Sequence, residues 1–179
     1  MISSSAPIIR EATAADVPAI LRLIRELAEY ERLLDLVVAT EESLHRSLFG
    51  PRPFVEALIA EDADVAIGFA LFFHNFSTFL GKPGLYLEDL FVRPAYRGRG
   101  LGKALLTRVA QIAVERDCGR MEWSVLNWNE PSIRFYESLG AKPLVDWTMY
   151  RLTGDELRLL GTLQPQDARL DGSRFGEIP

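Results

Sequence analysis

Between residues 97 and 103 the chain reads Arg97-Gly98-Arg99-Gly100-Leu101-Gly102-Lys103, three glycines in five positions among three cationic side chains. Glycine lets a backbone come close to a ligand and turn successive N–H groups the same way. An apolar run of helical period begins at Leu101, so this loop opens a helix, and a helix N-terminus carries partial positive charge. Together these features suit phosphate oxygens. A glycine inside a helix costs roughly 1 kcal/mol relative to alanine, which a purely structural helix start has no reason to accept. A plain helix start with flexible glycines is the alternative.

The spacing narrows the phosphate class. A P-loop requires G-x-x-x-x-G-K-[ST], but Arg97 stands five residues before Gly102 and Ala104 follows Lys103. A dinucleotide fingerprint requires G-x-G-x-x-G directly after a strand. Here the glycines run G-x-G-x-G, and Arg93-Pro94-Ala95-Tyr96 separates them from the strand. The pattern that fits is R-x-x-G-x-G. The strand before it, Leu85 to Val92, carries Glu88 and Asp89 in an otherwise apolar run. Alternation sends these two carboxylates to opposite faces. Asp89 therefore reads as a structural hydrogen-bonder, and Glu88 as either a site carboxylate or a solvent-facing one.

The elements that must position these residues follow from local signals. Ile8 to Ala12 reads as a first strand. Thr13-Ala14-Ala15-Asp16 has capping-box spacing, and Pro18 suits a first helical turn. Ile20, Leu21, Ile24, Leu27 and Ala28 recur at helical spacing, ending near Tyr30-Glu31. A second helix is expected from Thr40, stopped by Gly50-Pro51-Arg52-Pro53. Phe54–Ala60 and Val65–Phe73 read as a hairpin turning at Glu61-Asp62-Ala63-Asp64, and Gly81-Lys82-Pro83-Gly84 as a second turn. Leu101, Leu105, Leu106, Val109, Ile112 and Ala113 mark the apolar stripe of the helix after the loop. Met121–Leu126 and Trp147–Leu152 read as further strands. Asn129-Glu130-Pro131-Ser132 opens a helix through Leu139, closed by Gly140. The order predicts an α/β (α+β) domain with mostly antiparallel strands early and one β-α-β crossover late.

The 179 residues, 48% hydrophobic and 25% charged, suit one soluble domain of about residues 1–160, with a polar tail at 161–179. No apolar run reaches the roughly 18 residues of a membrane helix, and Met1 to Pro7 has no signal-peptide pattern. These absences read as a cytoplasmic location. The net charge of −5 argues against a general nucleic-acid binder and mildly favours a cationic partner. His45, His74 and the single Cys118 complete no metal-ligand set. Cys118 falls late in a helical pattern and reads as a buried free thiol.

Four stretches together resemble the GNAT superfamily of N-acetyltransferases over about residues 7–152: the loop, the opening Pro7–Asp16, the Tyr86-Leu87-Glu88-Asp89-Leu90-Phe91-Val92 strand, and Trp128–Ala141 with its Phe135-Tyr136 pair. The Leu-Glu-Asp strand and Glu26-Leu27-Ala28-Glu29-Tyr30-Glu31 are similar to a narrower group, the diamine (spermidine/spermine) and thialysine acetyltransferases. The resemblance implies a central mixed, mostly antiparallel twisted sheet flanked by helices, acetyl-CoA as co-substrate, and a homodimer.

It also implies roles. Gly98, Gly100, Leu101 and Gly102 of the loop, with Arg97, Arg99 and Lys103, would hold the diphosphate of coenzyme A. The backbone at Leu90, Phe91 and Val92 would hydrogen-bond the pantetheine arm, and Asn129 and Ser132 its pantetheine or phosphate part. An amine with a pKa of about 10.4 must shed a proton before attacking the thioester. Glu88 is the candidate acceptor, through water, and would also attract the ammonium. Tyr136 is the candidate proton donor to the leaving thiolate, as the matching tyrosine is in the family. From the residues alone, Phe135-Tyr136 fits core packing equally well. Tyr30, Glu31 and Trp147 match amine-binding positions of the diamine group, where an aromatic wall suits an ammonium.

One departure stands out. The polyamine-specific enzymes carry an acid and a tryptophan where this chain has Ser77 and Phe79. This shifts the expected acceptor toward a small diamine or an amino acid resembling lysine. A protein or peptide amine acetyltransferase and a non-catalytic acyl-CoA-binding module are the alternatives. No nucleic acid, membrane or metal partner is expected.

Overall fold

The computed structural model describes residues 6–163. The chain divides into two compact units, Met1–Trp128 and Asn129–Pro179.

The first unit holds a five-stranded sheet in the order β1-β2-β3-β4-β5. The strands are β1 Ile8–Glu11, β2 Glu56–Asp62, β3 Val65–Ser77, β4 Lys82–Val92 and β5 Met121–Trp123. β1 to β4 run antiparallel to their neighbours, and β5 pairs parallel to β4. Three helices accompany it: α1 Val17–Glu31, α2 Glu41–Phe49 and α3 Leu101–Glu115. The crossover β4–α3–β5 is the expected β-α-β unit.

Capping chemistry sets the helix starts. The Asp16 carboxylate accepts from the Thr13 amide (2.7 Å) and hydroxyl (2.9 Å), and α1 follows with Pro18 in its first turn. Asp16 also receives both Nη atoms of Arg10 at 2.8 Å, so β1 and the start of α1 are locked together. Thr40 accepts from the Ser43 amide and opens α2. The six predicted stripe residues of α3, Leu101 to Ala113, are all buried.

The sheet is buried on both faces. Ile20 and Leu23 of α1 and Leu48 of α2 pack on Ala57, Ile59, Phe69, Leu71 and Phe91. The alternating residues Leu58, Ala60, Ala70 and Phe72 are buried too, and α3 lies against β3 and β4. Gly68 is required where β3 meets the end of β4: a Cβ there would stand 2.7 Å from the Phe91 carbonyl oxygen.

Several boundaries differ from expectation. The β2–β3 turn is tighter, with Ala63 and Asp64 both at positive φ (47° and 64°). β4 begins at Lys82, because the turn closes earlier, at Gly81 (φ 63°). The Pro83 carbonyl accepts from the Gly119 amide (2.8 Å). Helix α3 ends at Glu115. Cys118 lies beyond it in a turn through Asp117 (φ 52°), half-buried rather than buried.

The second unit begins with α4 Glu130–Ser138, capped by Asn129, whose Oδ1 accepts from the Ser132 amide at 3.4 Å. Gly140 (φ 89°) ends it, as expected. Residues 147–152 form no strand, contrary to their apolar alternation. The Trp147 amide donates back to the Leu144 carbonyl (3.3 Å), closing a turn instead of entering a ladder. Helix α5, Gly154–Thr162, runs across the expected boundary at 160, and 164–179 lie outside the described residues. Among the described residues, no helix is long and apolar enough to cross a membrane.

Candidate functional site

The site is organised by an irregularity in β4. Leu71 of β3 pairs with Asp89 and Phe72 pairs with Leu87, so Glu88 is the extra residue of a β-bulge. On the other side, β4 pairs with β5 only from Leu85 to Leu87. No strand pairs with Glu88–Val92 on that side among the described residues. The backbone of Leu90, Phe91 and Val92 thus borders an open edge, which suits an extended ligand bearing its own amides.

Three carboxylates gather where the bulge meets the end of α1. Asp89 is half-buried, and its pKa is pushed up to about 7, first by burial, then by the charges of Glu88 and Glu31. Glu31, the last residue of α1, is also raised by burial. Glu88 is exposed. Simple alternation therefore misjudges Asp89. The bulge shifts the register by one residue, and Asp89 comes under the influence of Glu31 on α1. Two adjacent carboxylates in an apolar strand are the sequence signal that could have kept Asp89 in the site. Such a cluster attracts ammonium groups and can take up a proton near neutral pH.

Beyond Val92 the sheet continues by one bond, from the Arg93 amide to the Ile67 carbonyl (2.9 Å). A 3-10 turn over Pro94–Tyr96 then leads into the glycine loop. Gly98 (φ 74°) and Gly100 (φ 82°) occupy the left-handed region, where glycine alone is unstrained. Gly100 is the N-cap of α3 and, having no side chain, makes no side-chain cap bond to the first amides of the helix. Gly102 is different. Its φ is ordinary, and an added Cβ would meet nothing within 4 Å. The fold itself does not require glycine there, whereas a ligand lying on the helix start would. The open β4 edge suits an extended ligand bearing amides, and the glycine loop at the helix start suits phosphate oxygens.

The three cations of the loop are placed differently. Lys103 is exposed on the first turn of α3. The Arg99 guanidinium carbon stands 5.5 Å from the Tyr96 ring centroid. Arg97 turns back: its Nε donates to the Val92 carbonyl (2.8 Å), and its guanidinium carbon lies 4.8 Å from the Tyr30 ring and 5.6 Å from Phe91. Tyr30 in turn stands 5.8 Å from the Trp128 ring. Tyr30 and Glu31 are thus brought to the same region of the first unit as the loop and β4. Trp128 and Asp89 join a site that sequence reasoning built without them.

Asn129, Ser132, Tyr136 and Trp147 belong to the second unit. Asn129 and Ser132 make the α4 cap, and the Phe135 and Tyr136 rings lie 5.2 Å apart. At the β3–β4 turn, Ser77 is buried and its Oγ accepts from the Leu80 amide (3.2 Å), while Phe79 is exposed. Among the described residues, no group of three or more His, Cys, Asp or Glu is arranged to hold a metal ion.

Residues 19–141 match the acetyltransferase (GNAT) family. The chain is 39% identical over 163 residues to a thialysine N-epsilon-acetyltransferase of Bos taurus, spanning 85% of this chain and 95% of the relative. It is 38% identical over 200 residues to an L-ornithine N5-acetyltransferase of Arabidopsis thaliana, spanning 87% and 88%. Among solved structures, an integron cassette protein of V. cholerae superposes with a TM-score of 0.75 at 27% identity, covering 89% of this chain and 99% of its own.

Proposed function

Since the chain belongs to the GNAT acetyltransferase family, we propose that it transfers the acetyl group of acetyl-CoA to the primary amine of a small molecule. The acceptor would be a diamine, a polyamine or an amino acid of the thialysine, lysine or ornithine type, attacking directly in a ternary complex. The observation that carries this reading is the acidic cluster. Asp89, held near neutral pH by burial and by Glu88 and Glu31, lies on the strand that runs into the phosphate-binding loop. The thialysine and ornithine relatives support an acceptor of amino-acid size. Ser77, spent on capping a turn, leaves the β3–β4 loop without the acid that a longer polyamine would use.

Coenzyme A would be gripped by the amides of Gly98, Gly100, Leu101 and Gly102, with Arg99 and Lys103 as counter-charges and Arg97 at the inner side of the loop. Its pantetheine arm would lie along Leu90, Phe91 and Val92, and the family resemblance assigns Asn129 and Ser132 of the second unit to its pantetheine or phosphate part. Glu31, Glu88 and Asp89 would draw in the ammonium, with Tyr30 as an aromatic neighbour; the family resemblance assigns Trp147 of the second unit to the amine as well. A carboxylate of the Glu88–Asp89 pair takes the proton, directly or through water. The amine nitrogen then bonds to the acetyl carbon. An N–H on the open edge of β4 can stabilise the oxyanion. The C–S bond breaks, and Tyr136 protonates the departing thiolate. The products are the N-acetylated amine and coenzyme A.

The reading carries a single catalytic domain over residues 1–160 with a tail at 161–179, a cytoplasmic homodimer, and no metal. Light scattering tests the dimer. Calorimetry with acetyl-CoA, followed by thiol release across diamines, polyamines, thialysine, ornithine, lysine and peptides, tests the activity. Turnover only with peptides would replace the acceptor class. Binding without turnover would leave an acyl-CoA-binding module, and no binding would remove the proposal.

A further inference from the structure

The acidic cluster occupies only part of the sheet face on which Asp89 stands. Leu71 packs against α1 and α2, and strand alternation puts Phe73 and Asn75 of β3 on the same face. Their partners on β4 are Asp89, Tyr86 and Gly84, and Tyr86 pairs in turn with Glu122 of β5. Asp89, Tyr86 and Glu122 therefore form one strip along a single face of the first unit. The Tyr86 and Ser124 hydroxyls share a hydrogen bond of 2.8 Å beside it. Glu122 is held from two sides. Asn75 Nδ2 donates to its Oε2 at 2.7 Å, and Arg120 Nε stands 2.9 Å from the same oxygen. Among the described residues, no bond falls on Oε1. Asn75 reaches across β4 only because residue 84 is glycine: an added Cβ would run into Asn75 Oδ1 and crowd the Arg120 side chain. That Asn75 oxygen is buried and has no hydrogen-bond partner among the described residues, an arrangement that stability alone does not favour.

We propose that Glu122 and Arg120, with Asn75 bracing the carboxylate, form the subsite for the far end of the acceptor, an α-amino acid head. Glu122 takes its α-ammonium and Arg120 its α-carboxylate, while the side-chain amine reaches Asp89. The inference rests on the acetyltransferase reading above and narrows its acceptor to an α-amino acid. The spacing suits one. Three strand residues and one inter-strand step put Glu122 about 10 Å from Asp89 at the backbone. An extended lysine-like chain holds its two nitrogens roughly 6–8 Å apart, and a hydrogen bond of about 3 Å at each end makes up the difference. The pairing of charges carries the choice of class. The second ammonium of a diamine would meet Glu122 with the positive charge of Arg120 beside it. An α-amino acid head brings an ammonium and a carboxylate together and answers both.

The test uses the full chain and two matched acceptor series. Lysine is set against ε-aminohexanoate, which lacks the α-ammonium, and cadaverine, which lacks the carboxylate; ornithine is set against δ-aminopentanoate and putrescine. With saturating acetyl-CoA, the wild type is expected to favour the amino acid over both analogues in at least one series, by about tenfold or more in kcat/KM. Glu122→Gln should erase the preference over the analogue without the α-ammonium, whose own kcat/KM stays within about twofold. Arg120→Gln should erase the preference over the diamine. The Kd for acetyl-CoA, measured by calorimetry, should stay within about twofold in both variants. A strut that only ties β3 to β5 would, once cut, lower kcat/KM for all acceptors alike, and that result would overturn the inference. A wild type that prefers the diamines, or treats each series evenly, would overturn it as well. Should Glu122→Gln lose its native circular-dichroism spectrum, Arg120→Gln decides the question from its more exposed position. If the wild type binds acetyl-CoA and acetylates only other amines, the subsite falls and the acetyltransferase reading stands. If it binds no acetyl-CoA, that reading falls and takes the subsite with it.

Discussion

Arg93 and Glu26 form a two-pronged ion pair, Nε to Oε2 at 2.8 Å and Nη2 to Oε1 at 2.6 Å, joining the first residue after β4 to α1. One turn further along α1 come Tyr30 and Glu31. The pair therefore sets where the Tyr30–Glu31 end of the helix sits relative to the strand that carries Glu88 and Asp89. Being only partly shielded from water, it contributes modestly to stability. Arg93→Met is expected to cost about 1 kcal/mol in urea unfolding. It is also expected to raise the amine KM more than it changes acetyl-CoA affinity. Equal losses on both sides would mean that the pair supports the whole site and not this helix end.

Gly102 separates stability from function. It has an ordinary φ in the first turn of α3, with open space where a Cβ would go. Gly102→Ala is expected to stabilise the fold by up to about 1 kcal/mol through helix propensity. The added methyl would stand where the proposed site puts the diphosphate, and on that reading acetyl-CoA binding should weaken by about tenfold or more. A thermal melt and a calorimetric titration on the same preparation check both halves. A variant that is both more stable and equally tight for acetyl-CoA would place the diphosphate elsewhere.

These two tests rest on features of differing legibility in the sequence. The helix ends are readable because caps are local: Thr13 with Asp16, Thr40 at the start of α2, Asn129 with Ser132, and Gly140 after α4. The buried stripe of α3 was readable because its period is set within the helix. The bulge at Glu88 was not. An extra residue in a strand is defined by the partner strand, and Leu71 lies far away in the sequence. Without the bulge, strand alternation sends Asp89 to the face opposite Glu88. The same non-locality misled the reading of 147–152, whose apolar alternation met no ladder. Arg97 was legible in type but not in direction, because the rings it lies against come from α1 and β4.

Tyr136, on α4, tests the assignment of the proton donor. A phenol is protonated at neutral pH and can deliver its proton to a leaving thiolate. Tyr136→Phe keeps the ring that contacts Phe135 and removes only the hydroxyl. Turnover should fall by about 100-fold, the scale of a positioned acid, with acetyl-CoA affinity little changed. The loss should shrink if the leaving group is made a better one, for instance an aryl thioester. Unchanged turnover with rate-limiting chemistry would remove Tyr136 from the mechanism.

Asp89 makes a prediction in pH whose sign is unusual for a carboxylate. Its pKa is about 7 in the folded protein, against 3.8 for the free side chain, because burial and the charges of Glu88 and Glu31 oppose ionisation. Between these values the folded state holds a proton that the unfolded chain has released. Stability from this group is therefore fully present below about pH 4, declines as pH rises toward 7, and levels off above it. Asp89→Asn, which cannot ionise, should unfold at higher urea than wild type at pH 8, with the difference vanishing near pH 4. Binding of a cationic amine works on the same equilibrium in reverse. A positive charge beside Asp89 lowers its pKa, so at pH 7 binding should expel up to about half a proton. Calorimetry in buffers of different ionisation enthalpy reads that release directly. An uptake of protons, or a release that persists in Asp89→Asn, would assign the titration to another group.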